Sequence, residues 1–330
     1  MSKNILIIHT GGTIGMIKDK ETGALKPDLF YDSIKKFVPE LKEIANIDVE
    51  IPFLLDSADM HFKYWQEIAH IIKTKISDYD GFVITHGTDT LAYTASALSY
   101  MLVNLHVPVI LTGSQKPLYE IRTDARSNLI NAVELATSNI KEVAIFFNYK
   151  LMRGNRTIKS NINLFDAFSS PNYPLLAEVG IDINIYWNNV LKRQGLFHVL
   201  DKFDNNVAVI KFFPGIKIEE IEVPKRVRAI VLVAYGAGTL PINGYNTLDR
   251  VKQWIDENRI VILMSETKAG YVEPFLYESG NMFMKLGVLP AGDMTFEAVI
   301  TKIMFLLGQY DNVEIIKKNF LKSIAGELTE

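Results

Sequence analysis

No cysteine occurs among the 330 residues. That absence excludes disulfides, thiol nucleophiles and thiolate-bound metal, and it allows a reducing compartment. Positive charge is not in excess either. Lysine and arginine number 35 against 38 aspartate and glutamate, a formal net charge of −3, so a nucleic-acid partner has no electrostatic support. Pairs such as Lys35–Lys36 and Lys317–Lys318 read as solvated helix faces. No run approaches the roughly 18 to 20 apolar residues that cross a bilayer. The stretch Ile5–Ile8 is too short for the apolar core of a signal peptide and reads as a first β-strand. The cytoplasm is the expected compartment, with no membrane partner. The histidines fall into no ligand spacing such as H-E-x-x-H, so neither a metal nor another cofactor is expected.

What is present is an ordinary globular composition, 48% hydrophobic and 22% charged. The chain is longer than one core usually serves, which predicts two domains. Short apolar runs at Ile5–His9, Val49–Leu54, Gly81–His86, Val107–Gly113 and Val143–Phe147 alternate with stretches of helical period. Those stretches are Trp65–Ile76, Thr90–Leu102 and Ser127–Thr137. This order predicts an α/β fold, a doubly wound, flavodoxin-like or Rossmann-like N-terminal domain with helices on both faces of a parallel sheet. Residues 1–185 are assigned to it and 186–206, where periodicity fails, to a linker. Strands at Val207–Phe213, Ala229–Ala234 and Ile260–Ser265, with helices at Asn246–Glu257, Thr295–Leu307 and Val313–Leu321, make 207–330 a smaller α/β domain. Tyr100–Met101 and Phe146–Phe147 read as core.

Ligands of doubly wound sheets lie beyond the carboxyl ends of the strands. Four expected strands end there in small polar or glycine-rich turns: His9-Thr10-Gly11-Gly12-Thr13, Asp56-Ser57-Ala58-Asp59, Thr85-His86-Gly87-Thr88-Asp89 and Thr112-Gly113-Ser114. The glycines at 11, 12 and 15 do not form G-x-G-x-x-G, and no Walker lysine follows, so a phosphate cradle is disfavoured. In the third turn Thr88 or Asp89 can cap the following helix. A threonine hydroxyl is a poor nucleophile until a base or a hydrogen-bond network helps remove its proton. By composition alone, Arg153-Gly154-Asn155-Arg156-Thr157-Ile158-Lys159 passes for an exposed basic loop.

Taken in order, T-G-G-T-I-G, D-S-x-D-M at Asp56 to Met60, H-G-T-D-T at His86 to Thr90 and R-G-N-R-T-x-K before Phe165-Asp166-Ala167-Phe168 resemble the bacterial L-asparaginase family, most of all its cytosolic type I branch. Thr112-Gly113-Ser114-Gln115, Tyr235-Gly236-Ala237-Gly238 and Gly292-Asp293-Met294-Thr295 extend the likeness, which runs from residue 4 to the Gly326-Glu327-Leu328-Thr329 tail. The resemblance implies hydrolysis of L-asparagine to L-aspartate and ammonia. It places the nucleophile on Thr13 and a hydrogen-bonded relay on Thr88, Asp89 and Lys159. Asp56, Ser57 and Ala58 would form the substrate loop, with Ser57 and neighbouring backbone taking the α-carboxylate and Asp89 the α-ammonium. Two routes stay open, a covalent acyl-threonine on Thr13 or water activated by Thr88, and the covalent one is preferred. His86 is expected to be structural rather than a base. A homotetramer of intimate dimers, or a homodimer, is implied, with Tyr235 to Asn243 the candidate for residues supplied in trans.

One departure stands out. Many family members carry a tyrosine on the loop after the nucleophile, whereas this chain reads Gly23-Ala24-Leu25-Lys26-Pro27, with Tyr31 further on. The charges at Lys18 to Glu21 and Gly23 suit a loop able to close over a ligand. The rival readings are a mixed glutaminase-asparaginase, whose substrate differs by one methylene worth about 1 to 3 kcal/mol, and a non-enzymatic nucleotide- or small-ligand-binding α/β protein. An amidotransferase component of the same fold carries a further N-terminal domain, and a lysophospholipase would want an apolar acyl site. Both rank lower.

Overall fold

The computed structural model describes residues 2–18, 25–27, 30–276 and 278–329. The chain divides into two compact units, Met1–Asp201 and Lys202–Glu330.

The first unit is built on an eight-stranded sheet. Its strands are β1 (Asn4–His9), β2 (Asn46–Glu50), β3 (Gly81–Thr85), β4 (Val109–Thr112), β5 (Val143–Phe147), β6 (Lys150–Arg153), β7 (Ala177–Val179) and β8 (Ile183–Ile185). Across the sheet they run β8-β7-β6-β5-β4-β3-β1-β2. The five on the β2 side pair in parallel, in the flavodoxin-like order 2-1-3-4-5. Beyond β5 the pairing turns antiparallel, an extension that apolar runs do not announce because β6 to β8 are short and half polar.

Why the parallel strands read as unbroken apolar runs is clear from their two faces. Ile5, Ile7, Val83, Ile110 and Ala144 share a core with Leu129, Ala132, Val133 and Ala136 of the helix Ala125–Ala136. The alternate residues Leu6, Ile8, Phe82 and Ile84 are fully buried as well. Each such side chain contributes about 1.5–3 kcal/mol by leaving water. Among the described residues, edge strand β2 pairs with β1 alone, and its Asn46, Asp48 and Glu50 alternate with Ile47 and Val49. It therefore begins three residues before, and ends four residues before, the apolar run expected at Val49–Leu54.

Leu191 N donates to Glu142 Oε1 at 2.8 Å, and His198–Val199 pair with Leu102–Val103. Residues up to Asp201 thus pack with the first unit. The second unit holds four parallel strands in sequential order, β9 (Val207–Lys211), β10 (Ala229–Ala234), β11 (Ile260–Ser265) and β12 (Leu289–Pro290). Trp254, from the helix Thr247–Asp256, is buried in its core beside Leu232 and Leu263. No helix among the described residues is long and apolar enough to cross a membrane.

Candidate active site

Chain order reverses between β1 and β3, so the loops leaving these strands open the crevice in which such sheets bind ligands. Three loops meet there. Thr10 N and its hydroxyl both donate to Thr85 O at 3.0 Å, which ties the end of β1 to the end of β3. Gly11 bridges Leu55, just before the Asp56 turn. Gly12 lies against Gly87 so closely that a Cβ there would sit 2.5 Å from the Gly87 backbone, and its φ is +79°. A Cβ on Gly87 would in turn fall 2.6 Å from Ser57 Oγ. Two glycines thus let T-G-G-T, D-S-A and H-G-T-D stack with backbone in contact, which explains the residue type at both positions.

Each loop then presents its polar residue. Thr13 opens a short 3₁₀ turn, Thr13–Gly15, and is partly exposed. Asp56 accepts from Ala58 N at 2.9 Å and so caps the turn Ser57–Asp59. Ser57 is buried, and its carbonyl accepts from the Thr90 hydroxyl at 2.7 Å. That bond fastens the Asp56 loop to the start of the helix Leu91–Met101.

Lys159 arrives from the other side. Its Nζ donates to Thr88 Oγ1 at 2.8 Å and to Asp89 Oδ1 at 2.6 Å. The lysine side chain is 17% exposed and the aspartate 66%, so this cluster lies close to the surface with its carboxylate facing solvent. The R-G-N-R segment that delivers it is not an exposed basic loop. Arg153, Asn155 and Arg156 are all buried. Arg153 Nε donates to Glu142 Oε2 at 2.8 Å, its guanidinium lies 4.1 Å from the centre of the Tyr173 ring, and it also reaches Asn189 O. Gly154 fits against Ala95 of the helix Leu91–Met101, where a Cβ would meet Ala95 Cβ at 3.1 Å. The helix that follows Thr88 and Asp89 is therefore also the platform for the lysine segment. The hairpin of Ile158–Lys159 with Phe168–Ser169 completes the support, and Phe168 packs on Phe147.

Several residues support the site in ways that the sequence does not announce. Asp124 is buried and accepts from Gln115 N, Lys116 N and Asn128 Nδ2 at 3.0–3.2 Å. Burial raises its carboxyl above the ordinary value, against those hydrogen bonds. Gln115 Nε2 then holds the carbonyls of Ile162 and Leu164, three and five residues after Lys159. His9 stacks on Phe30 at 3.7 Å beneath Gly15, and burial lowers its pKa to about 3. His86 is fully buried and lowered to about 4, again by desolvation. Of these, His86 and Gln115 lie within motifs, but Thr94, Ile162 and Leu164, which they bond, stand outside those motifs.

The loop region expected to close over the site lies mostly outside the described residues, including Gly23 and the charges beyond Lys18. Leu25–Pro27 pairs antiparallel with Met16–Lys18. Among the described residues, no group of three or more acidic or histidine side chains is placed to hold a metal. A cavity of about 730 Å³ lies elsewhere, in the second unit, lined by Arg228, Arg250, Trp254 and Arg259. Its arginines already bond Asp204, Gln253, Glu257 and backbone carbonyls, so the convergence of polar groups, rather than cavity size, marks the site.

Residues 4–191 match the family described as Asparaginase, N-terminal, and residues 206–320 the Glutaminase/Asparaginase C-terminal domain. The chain is 40% identical to L-asparaginase 1 of Escherichia coli K12 over 334 residues, 99% of this chain and 98% of that one. The crystal structure of L-asparaginase I from Vibrio cholerae matches with a TM-score of 0.90 and 39% identity, covering 100% of both chains. The thermostable L-asparaginase from Thermococcus kodakarensis matches with the same TM-score of 0.90 and 36% identity, covering 99% of each chain. With both halves matched in order, and with whole-length likeness in sequence and fold, the chain belongs to the asparaginase family.

Proposed function

We propose that the chain is an L-asparaginase, hydrolysing asparagine to aspartate and ammonia through Thr13. The observation that carries this reading is the single nitrogen of Lys159 bonded to both Thr88 and Asp89. An ammonium donating to a hydroxyl oxygen favours loss of the hydroxyl proton, so Thr88 becomes the acceptor that a second hydroxyl needs. Thr13 Oγ1 then attacks the side-chain carbonyl carbon as its proton passes to Thr88, which hands its own proton to the departing amide nitrogen. The C–N bond breaks as ammonia leaves with a proton. Water adds to the acyl-threonine, the ester C–O bond breaks, and aspartate departs with Thr13 restored. Backbone N–H groups of Thr13 and Thr88 stabilise the oxyanion. Ser57 and the Asp56–Ala58 turn take the α-carboxylate, and exposed Asp89 takes the α-ammonium.

The working unit is proposed to be a cytoplasmic homotetramer or homodimer, with Tyr235 to Asn243 reaching a neighbouring site. Glutamine remains the competing substrate, because one methylene separates the two by only about 1 to 3 kcal/mol.

Ammonia release from asparagine and from glutamine, measured side by side, tests the reading, with ATP and NAD binding as the control for a passive nucleotide-binding protein. Asparagine turnover is expected, and Thr13→Ala and Lys159→Ala should each lower kcat by on the order of 10³-fold or more while the melting temperature holds. Near-normal rates in Thr13→Ala would remove the nucleophile assignment. Tight nucleotide binding without amide turnover would remove the enzyme reading.

A further inference from the structure

Behind Thr88 lies a buried hydrogen-bond chain whose every proton can be placed. His86 Nδ1 is 2.7 Å from Gly87 O. A carbonyl only accepts, so Nδ1 carries the hydrogen. Fully buried and desolvated, the imidazole stays neutral, so Nε2 is bare and must accept. Its partner at 2.9 Å is the Thr94 hydroxyl, which therefore donates to it. Thr94 Oγ1 in turn accepts from Trp65 Nε1–H at 3.0 Å, and an indole nitrogen can only donate. Trp65, Thr94 and His86 are all buried. The chain has one direction: indole to hydroxyl, hydroxyl to imidazole, imidazole to the Gly87 carbonyl.

The Gly87 carbonyl and the Thr88 N–H belong to one planar trans peptide, so fixing the first fixes the second in the opposite direction. Nothing among the described residues accepts from the Thr88 N–H. The unit that needs fixing is a glycine peptide, which has the most freedom to turn. We infer that His86 is a positioning residue: held from behind by Thr94 and Trp65, it locks the Gly87–Thr88 peptide so that the Thr88 N–H faces the substrate carbonyl. This role rests on the asparaginase reading above and adds to it the residues that preorganise one oxyanion donor. A donor set in place before reaction needs no reorganisation as charge develops, and removing one costs about 10²–10³ in rate.

The test pairs a substrate-free readout with kinetics. In the free chain, ¹⁵N spectra of histidine-labelled protein report the tautomer of His86, identified by its loss in His86→Asn. The Nδ1–H form is expected, and an Nε2–H form in an active enzyme overturns this proposal alone. Asparagine amide nitrogen sits on Cγ, as imidazole Nδ1 does, so His86→Asn can still donate to Gly87 O. His86→Gln cannot, because its amide lies one bond further out. We expect His86→Asn to keep kcat within about fivefold and His86→Gln to lose about 10²-fold, with KM little changed. Thr94→Val should lose about tenfold in kcat, and Thr94→Ser should regain it. Wild-type kcat in a folded His86→Gln, equal losses in the Asn and Gln variants, or losses that track the melting temperature would overturn the assignment. If His86→Gln fails to fold, the Thr94 pair decides, and an unimpaired Thr94→Val refutes the role. A wild-type chain with the Nδ1–H tautomer but no ammonia release would instead sink the asparaginase reading, and the catalytic part of this proposal with it.

Discussion

Lys159 is useful because its charge sits on one compact nitrogen. Three donors radiate from Nζ, and two of them are spent on Thr88 and Asp89 at 2.8 and 2.6 Å. Arginine would bring the same charge as a planar fork with fixed donor directions, and the two are not interchangeable where geometry is tight. Lys159→Arg is therefore expected to lower kcat by at least about 10²-fold, despite keeping the charge. A variant within a few-fold of wild type would mean that charge alone suffices. Thr13, Thr88, Asp89 and Lys159 are the residues that the motifs propose, and the contact of Lys159 with Thr88 and Asp89 supports that choice. The parts played by Thr94, Trp65, Gln115 and Asp124 cannot be read from any motif. Their bonds join residues from 4 to 49 positions apart, and the direction of each depends on burial that no local pattern encodes.

Elements are legible where both faces are buried. Val143–Phe147, Ala229–Ala234 and Ile260–Ser265 agree with their apolar runs to the residue, since polar-tipped residues flank each run: Glu142 and Asn148, Arg228 and Tyr235, Arg259 and Glu266. β2 is displaced from its expected place because an edge strand alternates with polar residues, and β6 to β8 escape the pattern because three or four half-polar residues leave too little period. A lock at the end of the chain is equally silent. Lys302, within the helix Phe296–Gln309, is wholly buried. Its Nζ donates to Phe320 O and Lys322 O and pairs with buried Glu327 at 2.5 Å. Glu327 accepts from Ile324 N and Ala325 N, so one ion pair fastens the whole C-terminal turn. Lys302→Met would strand a buried carboxylate and leave two carbonyls unfilled, at a cost of about 3–5 kcal/mol. Urea unfolding checks this, and a loss below about 1 kcal/mol would show the pair to be as weak as a surface one.

For the molecule as a whole, the buried histidines set a direction for its response to acid. His9 and His86 titrate near 3 and 4 in the folded chain, below the unfolded value of about 6.5. Their contribution to stability is fully present above pH of about 6.5 and is lost as pH falls from there toward their folded values, where the unfolded chain binds more protons. Asp124 and Glu297, both raised by burial, work the other way, so the histidine effect is best isolated by difference. Between about pH 7.5 and about pH 5.5, wild type should lose about 1 kcal/mol more unfolding free energy than His86→Asn; equal losses would show that His86 does not stay neutral. In the proposed mechanism that neutrality leaves the catalytic proton to the hydroxyls and Lys159, which is its central claim. It is tested most directly by a double-mutant cycle on asparagine turnover with Thr88→Val and Lys159→Met. Groups that act as one unit fail together, so the double variant should be no slower than the worse single one. Losses that multiply would mean that Thr88 and Lys159 contribute separately, and the proposed relay would not exist.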